Sequence, residues 1–188
     1  SMVTYLTLRG TTFIPDFFEG CAYKKPLSID IDVLDNMPDS EADYKRQNRK
    51  TWLGGRLLFL SAAPEPYLPF DGIKKKIVNG ICRIAYGGMH LVGLTPVKLQ
   101  EHWDKAARQF EQAETKRVAD YADRSPIKWS ATRDELFPAL DMPFGDIVVK
   151  VPRAYDDILT RNYGNYMELP PVEQRKNHRP SQLDFGEY

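Results

Sequence analysis

The sequence predicts a mixed α/β protein of the α+β kind, in which helices cover a mixed sheet. Residues 27–34 alternate strictly between aliphatic and polar side chains, which is typical of a half-buried strand. Residues 95–122 carry an apolar side chain every three or four positions, the spacing of an amphipathic helix. Two predicted strands come first, helices follow, and a strand and a helix come last, an order that favours this fold class.

Four segments have the composition of strands. Residues 3–8 favour a short strand, and residues 11–18, interrupted by Pro15, favour an edge strand or a loop. Residues 144–151 form the fourth segment, after the alternating strand at 27–34. The aliphatic side of residues 27–34 is expected to pack on the core, with the following side chains inward: Leu27, Ile29, Ile31 and Val33.

Four helices are predicted between and after the strands. Ser40 occupies an N-cap position, and Thr95 does the same before Pro96, while Gly164 marks a helix end. The Gly54-Gly55 pair predicts a kink or a break in the first helix. The predicted helices run from residue 40 to about 63 and over 73–86, 95–122 and 152–163, followed by an irregular segment at 167–188.

Length and charge exclude several classes of protein. The 188 residues suit a single domain, and the formal net charge is zero, with 26 basic and 26 acidic residues. This balance argues against a nucleic-acid binder, which usually carries a basic field. Cys21 and Cys82 are too few for a disulfide framework and lack metal-ligand spacing, so a cytoplasmic location is predicted.

Acidic residues supply the clearest candidate site. Asp30 and Asp32 leave the same face of the predicted strand, roughly 7 Å apart, where two carboxylates can share a divalent cation such as Mg²⁺. Asp35 follows just past the strand end. The alternative is a polar outer face, with Asp35 starting a turn.

Basic residues near the C-terminal end form a second candidate. Arg175, Lys176 and Arg179 suit phosphate oxygens, and His178 among them suits a hydrogen-bonding or acid/base role. The alternative is a solvated tail. Arg9 is either a phosphate contact or an ordinary surface residue.

Four segments, taken in order, resemble the LicD family. They read TLRGTTFI at 7–14, IDIDVLDNMP at 29–38, MPFGDIVVKVPRAY at 142–155 and, within 159–178, YGNYMELPP. LicD proteins are linked to phosphorylcholine transfer onto cell-surface glycans, and the fukutin-type ribitol-phosphate transferases are relatives. The resemblance covers nearly the whole chain.

The resemblance implies a nucleotidyltransferase-like domain that acts with Mg²⁺ or Mn²⁺. Its donor would be a CDP-activated phospho-alcohol such as CDP-choline, and its acceptor a cell-surface glycan such as lipopolysaccharide or teichoic acid. Asp30 and Asp35 fall on the two acids of a family pattern resembling Asp-Ile-Phe-Pro-Leu-Asp. Asp32 stands where the family has an aromatic residue, and Val33 where it has proline. The resemblance thus makes Asp30, Asp35 and His178 the candidate catalytic residues, and Arg9 and Arg175 candidate substrate contacts.

One departure from the family weakens the predicted activity. Family members carry a Gly-rich helix start and an Asp-rich run upstream of these segments, and this sequence has neither. Residues 1–188 are therefore predicted to be a single LicD-type domain without its N-terminal portion, inactive alone, because phosphoryl transfer needs more than one or two carboxylates around its metal ions.

Two alternatives remain open. The chain is either a phosphotransferase or a non-catalytic module of the same family that binds glycan through Tyr163 and Tyr166. Residues 52–63 and 77–94, apolar with few charges, are either core helices or a peripheral membrane contact.

Overall fold

The computed structural model describes residues 4–15, 26–62, 68, 70–175 and 179–187. Over these residues the chain forms six helices and several small antiparallel sheets, which confirms the α+β class. The strands are β1 (Thr4–Thr7), β2 (Thr12–Pro15), β3 (Ser28–Ile31), β4 (Asp35–Met37), β5 (Arg117–Ala119), β6 (Ala131–Thr132), β7 (Leu140–Phe144), β8 (Ile147–Val151) and β9 (Pro180–Asp184). The helices are α1 (Glu41–Ala62), α2 (Ile73–Leu91), α3 (Pro96–Ala107), α4 (Pro126–Trp129), α5 (Arg133–Leu136) and α6 (Tyr155–Tyr163).

Within the described ranges, the strands pair in four sheets rather than in one. β1 pairs with β3, β2 with β9 and β7 with β8, while β5 lies between β4 and β6 in a three-stranded sheet. The β7–β8 pair is a tight hairpin that turns at Gly145, whose φ of +63° is a conformation that glycine adopts without strain. The fourth predicted strand is therefore the second half of a hairpin.

The chain divides into two compact units. Unit 1 consists of Ser1–Asp32, Arg56–Gln100 and Pro170–Tyr188, and unit 2 of Val33–Gly55 and Glu101–Leu169. Two of the four boundaries between them fall inside α1 and α3. Most of the buried apolar side chains belong to unit 2: Met37, Trp103, Ala107, Val118, Ala119, Tyr121 and Ala131. The single LicD-type domain stays a prediction.

The alternating strand differs from its prediction. Its hydrogen-bonded part, β3, is four residues long and has β1 as its partner, with Leu6 opposite Ile29. Ile29, Ile31 and Val33 are 67%, 48% and 52% exposed, so the expectation that this aliphatic face packs on the core is wrong. A two-residue period predicts a strand, but it does not say whether another element covers either face.

Helix α1 begins where the sequence predicts. The Ser40 hydroxyl accepts a hydrogen bond from the Asp43 amide at 3.4 Å, in the manner of an N-cap. The helix continues through Gly54 and Gly55, so the predicted break is wrong. Gly54 leaves space for the buried Trp103, because a Cβ at this position would lie 3.3 Å from Trp103 Cδ1.

Helix α3 is shorter than predicted. Thr95 accepts a hydrogen bond from the Lys98 amide at 3.3 Å, as expected of its N-cap, but the helix ends at Ala107. Turns follow, and residues 117–119 form β5 at the centre of the three-stranded sheet. Local propensity favours a helix there, and pairing with β4 and β6 overrides it.

The C-terminal part is more regular than predicted. Gly164, with a φ of +71°, ends α6 as expected. The segment at 167–188 was expected to be irregular, yet it contains a 3-10 turn at Val172–Gln174 and strand β9. β9 pairs antiparallel with β2, from which most of the chain separates it.

Helix α2 begins at Ile73 as predicted and extends further, to Leu91. Within the described part of the chain, no single helix is both long and apolar enough to cross a membrane. Helices α2 and α3 meet that criterion only together, as a pair bent by more than 40° between them.

Gly54→Leu should lower the free energy of unfolding by about 1–3 kcal/mol, because the added side chain must displace the buried Trp103. Urea denaturation measures the change. Gly80→Ala is the control: a Cβ there meets no atom within 4 Å, and the helix should gain about 0.5–1 kcal/mol. A Gly54→Leu protein as stable as the parent would show that this contact does not restrict the side chain.

Candidate active site

Asp35 is a candidate residue whose carboxyl group has a raised pKa. It begins β4, opposite Ala119 of β5, and is half-buried. Burial raises the pKa of its carboxyl group above the ordinary value of 3.8, the guanidinium of Arg108 opposes this rise, and the carboxylates of Glu111 and Asp104 add to it. A carboxylate with a raised pKa is a stronger proton acceptor than an ordinary one, so Asp35 suits a general base.

Asn36, the next residue, binds the turn after α3, which contains Arg108 and Glu111. Its Nδ2 donates to the carbonyl oxygens of Phe110, Glu111 and Ala113 at 3.1, 3.2 and 2.9 Å. Its Oδ1 accepts a hydrogen bond from Arg133 Nη2 at 3.0 Å. Through these bonds, Asn36 fixes the segment after α3 next to β4, which begins with Asp35.

The same turn contains an ion pair. Arg108 Nη2 lies 2.5 Å from Glu111 Oε1, and both side chains are about half exposed. Arg108 thus interacts with three carboxyl groups: it contacts Glu111, and Asp35 and Asp104 act on it electrostatically at longer range. Arg108 lowers the Asp35 pKa less than burial raises it, and the nearby carboxylates of Glu111 and Asp104 add to the rise.

A buried polar group, the Gln47 amide, joins the end of α3 to Tyr121, whose pKa is influenced by Asp35. Gln47 is fully buried, donates from Nε2 to the Ala107 carbonyl at 2.7 Å and accepts from the Tyr121 hydroxyl at 2.6 Å. The pKa of Tyr121 is raised far above its usual value, first by burial and then by the neighbouring Tyr44 and Asp35. The Tyr121 phenol therefore stays neutral and acts as a hydrogen-bond donor.

Asp30 and Asp32 belong to unit 1, whereas Asp35 belongs to unit 2. Asp30 is exposed on β3 opposite Tyr5, and Asp32 is exposed just beyond the end of that strand. Among the described residues, no group of three His, Cys, Asp or Glu side chains is arranged to hold a metal ion. Asp30 and Asp32 therefore do not by themselves fit a Mg²⁺ or Mn²⁺ site.

The predicted phosphate contacts are only partly described. Arg9 is exposed in the turn after β1. Arg175 donates from Nε to the Pro170 carbonyl at 2.8 Å, a bond that fixes the local chain direction. His178 and Lys176 lie outside the described residues.

The two predicted glycan contacts differ from each other. The Tyr163 side chain is 65% exposed and meets Trp129 edge-to-face, with the ring centroids 5.2 Å apart. Tyr166 is half-buried and donates its hydroxyl hydrogen to Asp156 Oδ1 at 2.5 Å. The Tyr163 ring is therefore exposed to solvent, whereas the Tyr166 hydroxyl is already hydrogen-bonded to Asp156.

Sequence analysis missed a network around Glu135. Its Oε1 accepts from Arg161 at 2.8 Å, and its Oε2 accepts from the Thr132 amide at 2.6 Å, with Arg117 at 3.6 Å. Both arginines also donate to the carbonyl oxygen of the buried Ser130. The Thr-x-x-Glu spacing of a capping box, readable at 132–135, was the available signal.

Comparison with known proteins yields no relative: no protein-family model, curated protein or solved structure matches this chain. The resemblance to the LicD family stays a prediction.

Glu135→Gln should lower the free energy of unfolding by about 1–3 kcal/mol at pH 7, because two guanidinium groups lose their carboxylate. Burial alone would raise the pKa of Glu135, but the Thr132 amide, Arg161 and Arg117 hold it below 4.5. The ionised group therefore stabilises the fold above about pH 4.5, and this contribution disappears as the pH falls through the lowered pKa.

Urea denaturation between pH 3 and pH 7 measures this difference. Asp134→Asn, an exposed neighbour in the same turn of α5, is the control and should change stability by less than about 0.5 kcal/mol. A Glu135→Gln effect of equal size at pH 3 and pH 7 would contradict the role of the charge.

Proposed function

We propose that this chain belongs to a phosphotransferase that moves a phospho-alcohol, such as phosphocholine, from a CDP-linked donor to a glycan hydroxyl group. The order of the LicD-like segments supports the reaction class, and the surroundings of Asp35 support the chemistry. The single observation that carries the proposal is the half-buried Asp35 carboxyl group with its raised pKa. The proposal includes a nucleotidyltransferase-like fold and a cytoplasmic location.

Asp35 would act as the general base. Its carboxylate accepts the proton of the acceptor hydroxyl while that oxygen attacks the phosphorus that bears the alcohol. The new oxygen–phosphorus bond replaces the bond to the nucleotide, and CMP leaves. Arg108, within the electrostatic reach of Asp35, supplies positive charge on that side.

A divalent cation belongs to this proposal through the family resemblance alone. When bound, it would neutralise charge on the phosphoryl oxygens. Asp30 and Asp32 are the residues proposed to contact it, and they would need further ligands beyond those described. Arg9, Arg175 and His178 are the proposed phosphate contacts.

Asp35→Asn should reduce kcat by at least about 100-fold, since a positioned general base typically contributes that much or more. The dissociation constant for CDP-choline should change by less than about twofold, because the substitution leaves donor contacts intact. The assay uses the gene product with any residues encoded before Met2, and the transferred phosphocholine is counted by mass spectrometry. Asp146→Asn, exposed at the β7–β8 turn, is the matched control.

The same variant has a second readout. Ionising Asp35 costs folding free energy because its pKa is raised in the folded state, so Asp35→Asn should raise Tm at pH 7 and lose that advantage below about pH 4. In the parent enzyme, kcat should fall at low pH as Asp35 becomes protonated, with a midpoint above pH 3.8. In Arg108→Gln this midpoint should move to higher pH, because the cation that lowers the Asp35 pKa is gone. Equal losses of turnover and donor binding in Asp35→Asn would contradict the base role.

The exposed ring of Tyr163 favours a second candidate, a glycan-binding module without turnover. An aromatic face open to solvent and supported by Trp129 is a suitable surface for a sugar ring. Tyr163→Ala should weaken binding to immobilised lipopolysaccharide or teichoic acid by about three- to tenfold, measured by biolayer interferometry.

Phe144→Ala is the control for this second candidate. Phe144 is also an exposed aromatic residue of unit 2, at 70%, and its loss should leave glycan binding unchanged. Glycan binding without turnover would favour the module, whereas turnover abolished by Asp35→Asn would favour the enzyme.

A further inference from the structure

Helix α2 carries an apolar stripe on its exposed side, with Gly88 on the turn between its last two members. Five residues form it, with these exposed fractions: Ile73 77%, Ile77 57%, Ile81 60%, Ile84 78% and Leu91 90%. At about 100° per residue, the five fall within an arc of about 80° along the whole helix. Single exposed aliphatic residues are common on protein surfaces, but an aligned series of five usually marks a binding surface.

The opposite side of the same helix is its packed side. Met89, about 130° around the axis from the middle of the stripe, is 6% exposed, and Cys82, further around, is half-buried. The helix therefore already has a side that packs within the protein. The stripe is a second apolar side, and an ordinary surface helix would be polar there.

Positive charges border the stripe. Lys74 lies beyond one edge and Lys76 beyond the other, and both are exposed, as is Arg83 on the Lys76 side. Residues 73–91 contain no Asp or Glu, and the third lysine, Lys75, pairs with Asp71 just before the helix at 3.0 Å. An apolar stripe between lysines is the pattern of a helix that lies in a membrane surface, where the long lysine stems reach up to the phosphates.

We propose that α2 docks this stripe on an anionic lipid surface, with the helix axis in the plane of the membrane and the lysines at the lipid phosphates. The charge pattern decides between the possible occupants. A second copy stacking α2 on α2 would bring two basic helices together, with no carboxylate on either helix to pair with the lysines. An anionic headgroup region offers both phosphate charge and an apolar layer beneath it.

Vesicle flotation without any nucleotide or glycan tests this proposal, so that its outcome is independent of the proposed transferase activity. The full 188-residue chain is mixed with vesicles of phosphatidylcholine containing about 30% phosphatidylglycerol, or with phosphatidylcholine alone. Binding should be at least about tenfold stronger to the anionic vesicles and should weaken as salt is raised from about 50 to 500 mM.

Two double variants separate the apolar contribution to vesicle binding from the electrostatic one. Ile77→Asn with Ile84→Asn should abolish flotation, since both residues lie within the stripe. Lys74→Gln with Lys76→Gln should weaken binding to the anionic vesicles by about fivefold for each lysine. The matched control is Ile127→Asn with Lys128→Gln, an exposed aliphatic residue and an exposed lysine on α4 of unit 2, which should bind as the parent does.

Circular dichroism confirms that each variant is folded, and sedimentation velocity gives the oligomeric state. Absence of flotation at low salt would overturn the proposal, as would equal binding by the parent and the stripe variant. A dimer that dissociates on Ile77→Asn with Ile84→Asn would also overturn it, because the stripe would then be the interface between two copies.

Discussion

The buried amide of Gln47 is the contact on which the rest of unit 2 depends. It lies in α1 and has no exposed surface, yet it joins the last residue of α3 to Tyr121, just beyond β5. A buried polar group without partners costs about 1–3 kcal/mol, whereas Gln47 finds both partners at short distances. The three elements must therefore be in place together, since displacing any of them leaves a buried donor or acceptor unsatisfied.

The surroundings of Asp35 follow from this contact. Gln47 donates to the carbonyl oxygen of Ala107, the last residue of α3, and the chain turns immediately afterwards. Asn36 donates to the carbonyl oxygens of that turn. Arg108 and Glu111 are thereby held beside β4. The uncharged amides of Gln47 and Asn36 thus hold the chain that places these charged side chains near Asp35.

Local signals predicted the helices better than the sheets. Ser40, Thr95 and Gly164 each marked a helix end correctly, because caps act within one turn of chain. The end of α3 was not predictable locally, since it depends on Gln47 and Asn36, about 60 and 75 residues away. β9 was missed for the same reason, because its partner β2 lies near the other end of the sequence.

The grouping of the candidate site could not be read from the sequence. Spacing at residues 30–35 placed Asp35 with Asp30, but the two belong to different compact units, and the raised pKa of Asp35 depends on burial and on residues distant in the chain. The residues that perturb Asp35 come from α3 and the turn after it, and no spacing in the sequence connects them. The Glu135 network was readable as a helix cap, whereas the convergence of Arg117 and Arg161 on it required the fold.

The pairing of β2 with β9 has a consequence for synthesis on the ribosome. The Ser181 hydroxyl of β9 donates a hydrogen bond to the Ile14 carbonyl oxygen of β2, 167 positions earlier. β2 therefore cannot pair with β9 until nearly all of the described chain has been translated. The last residue of unit 2 is Leu169, so all of unit 2 is translated before β9, while β2 is still unpaired. During that interval the apolar residues Phe13 and Ile14 have not yet met their strand partner, and exposed apolar segments of this kind are prone to aggregate before folding is complete.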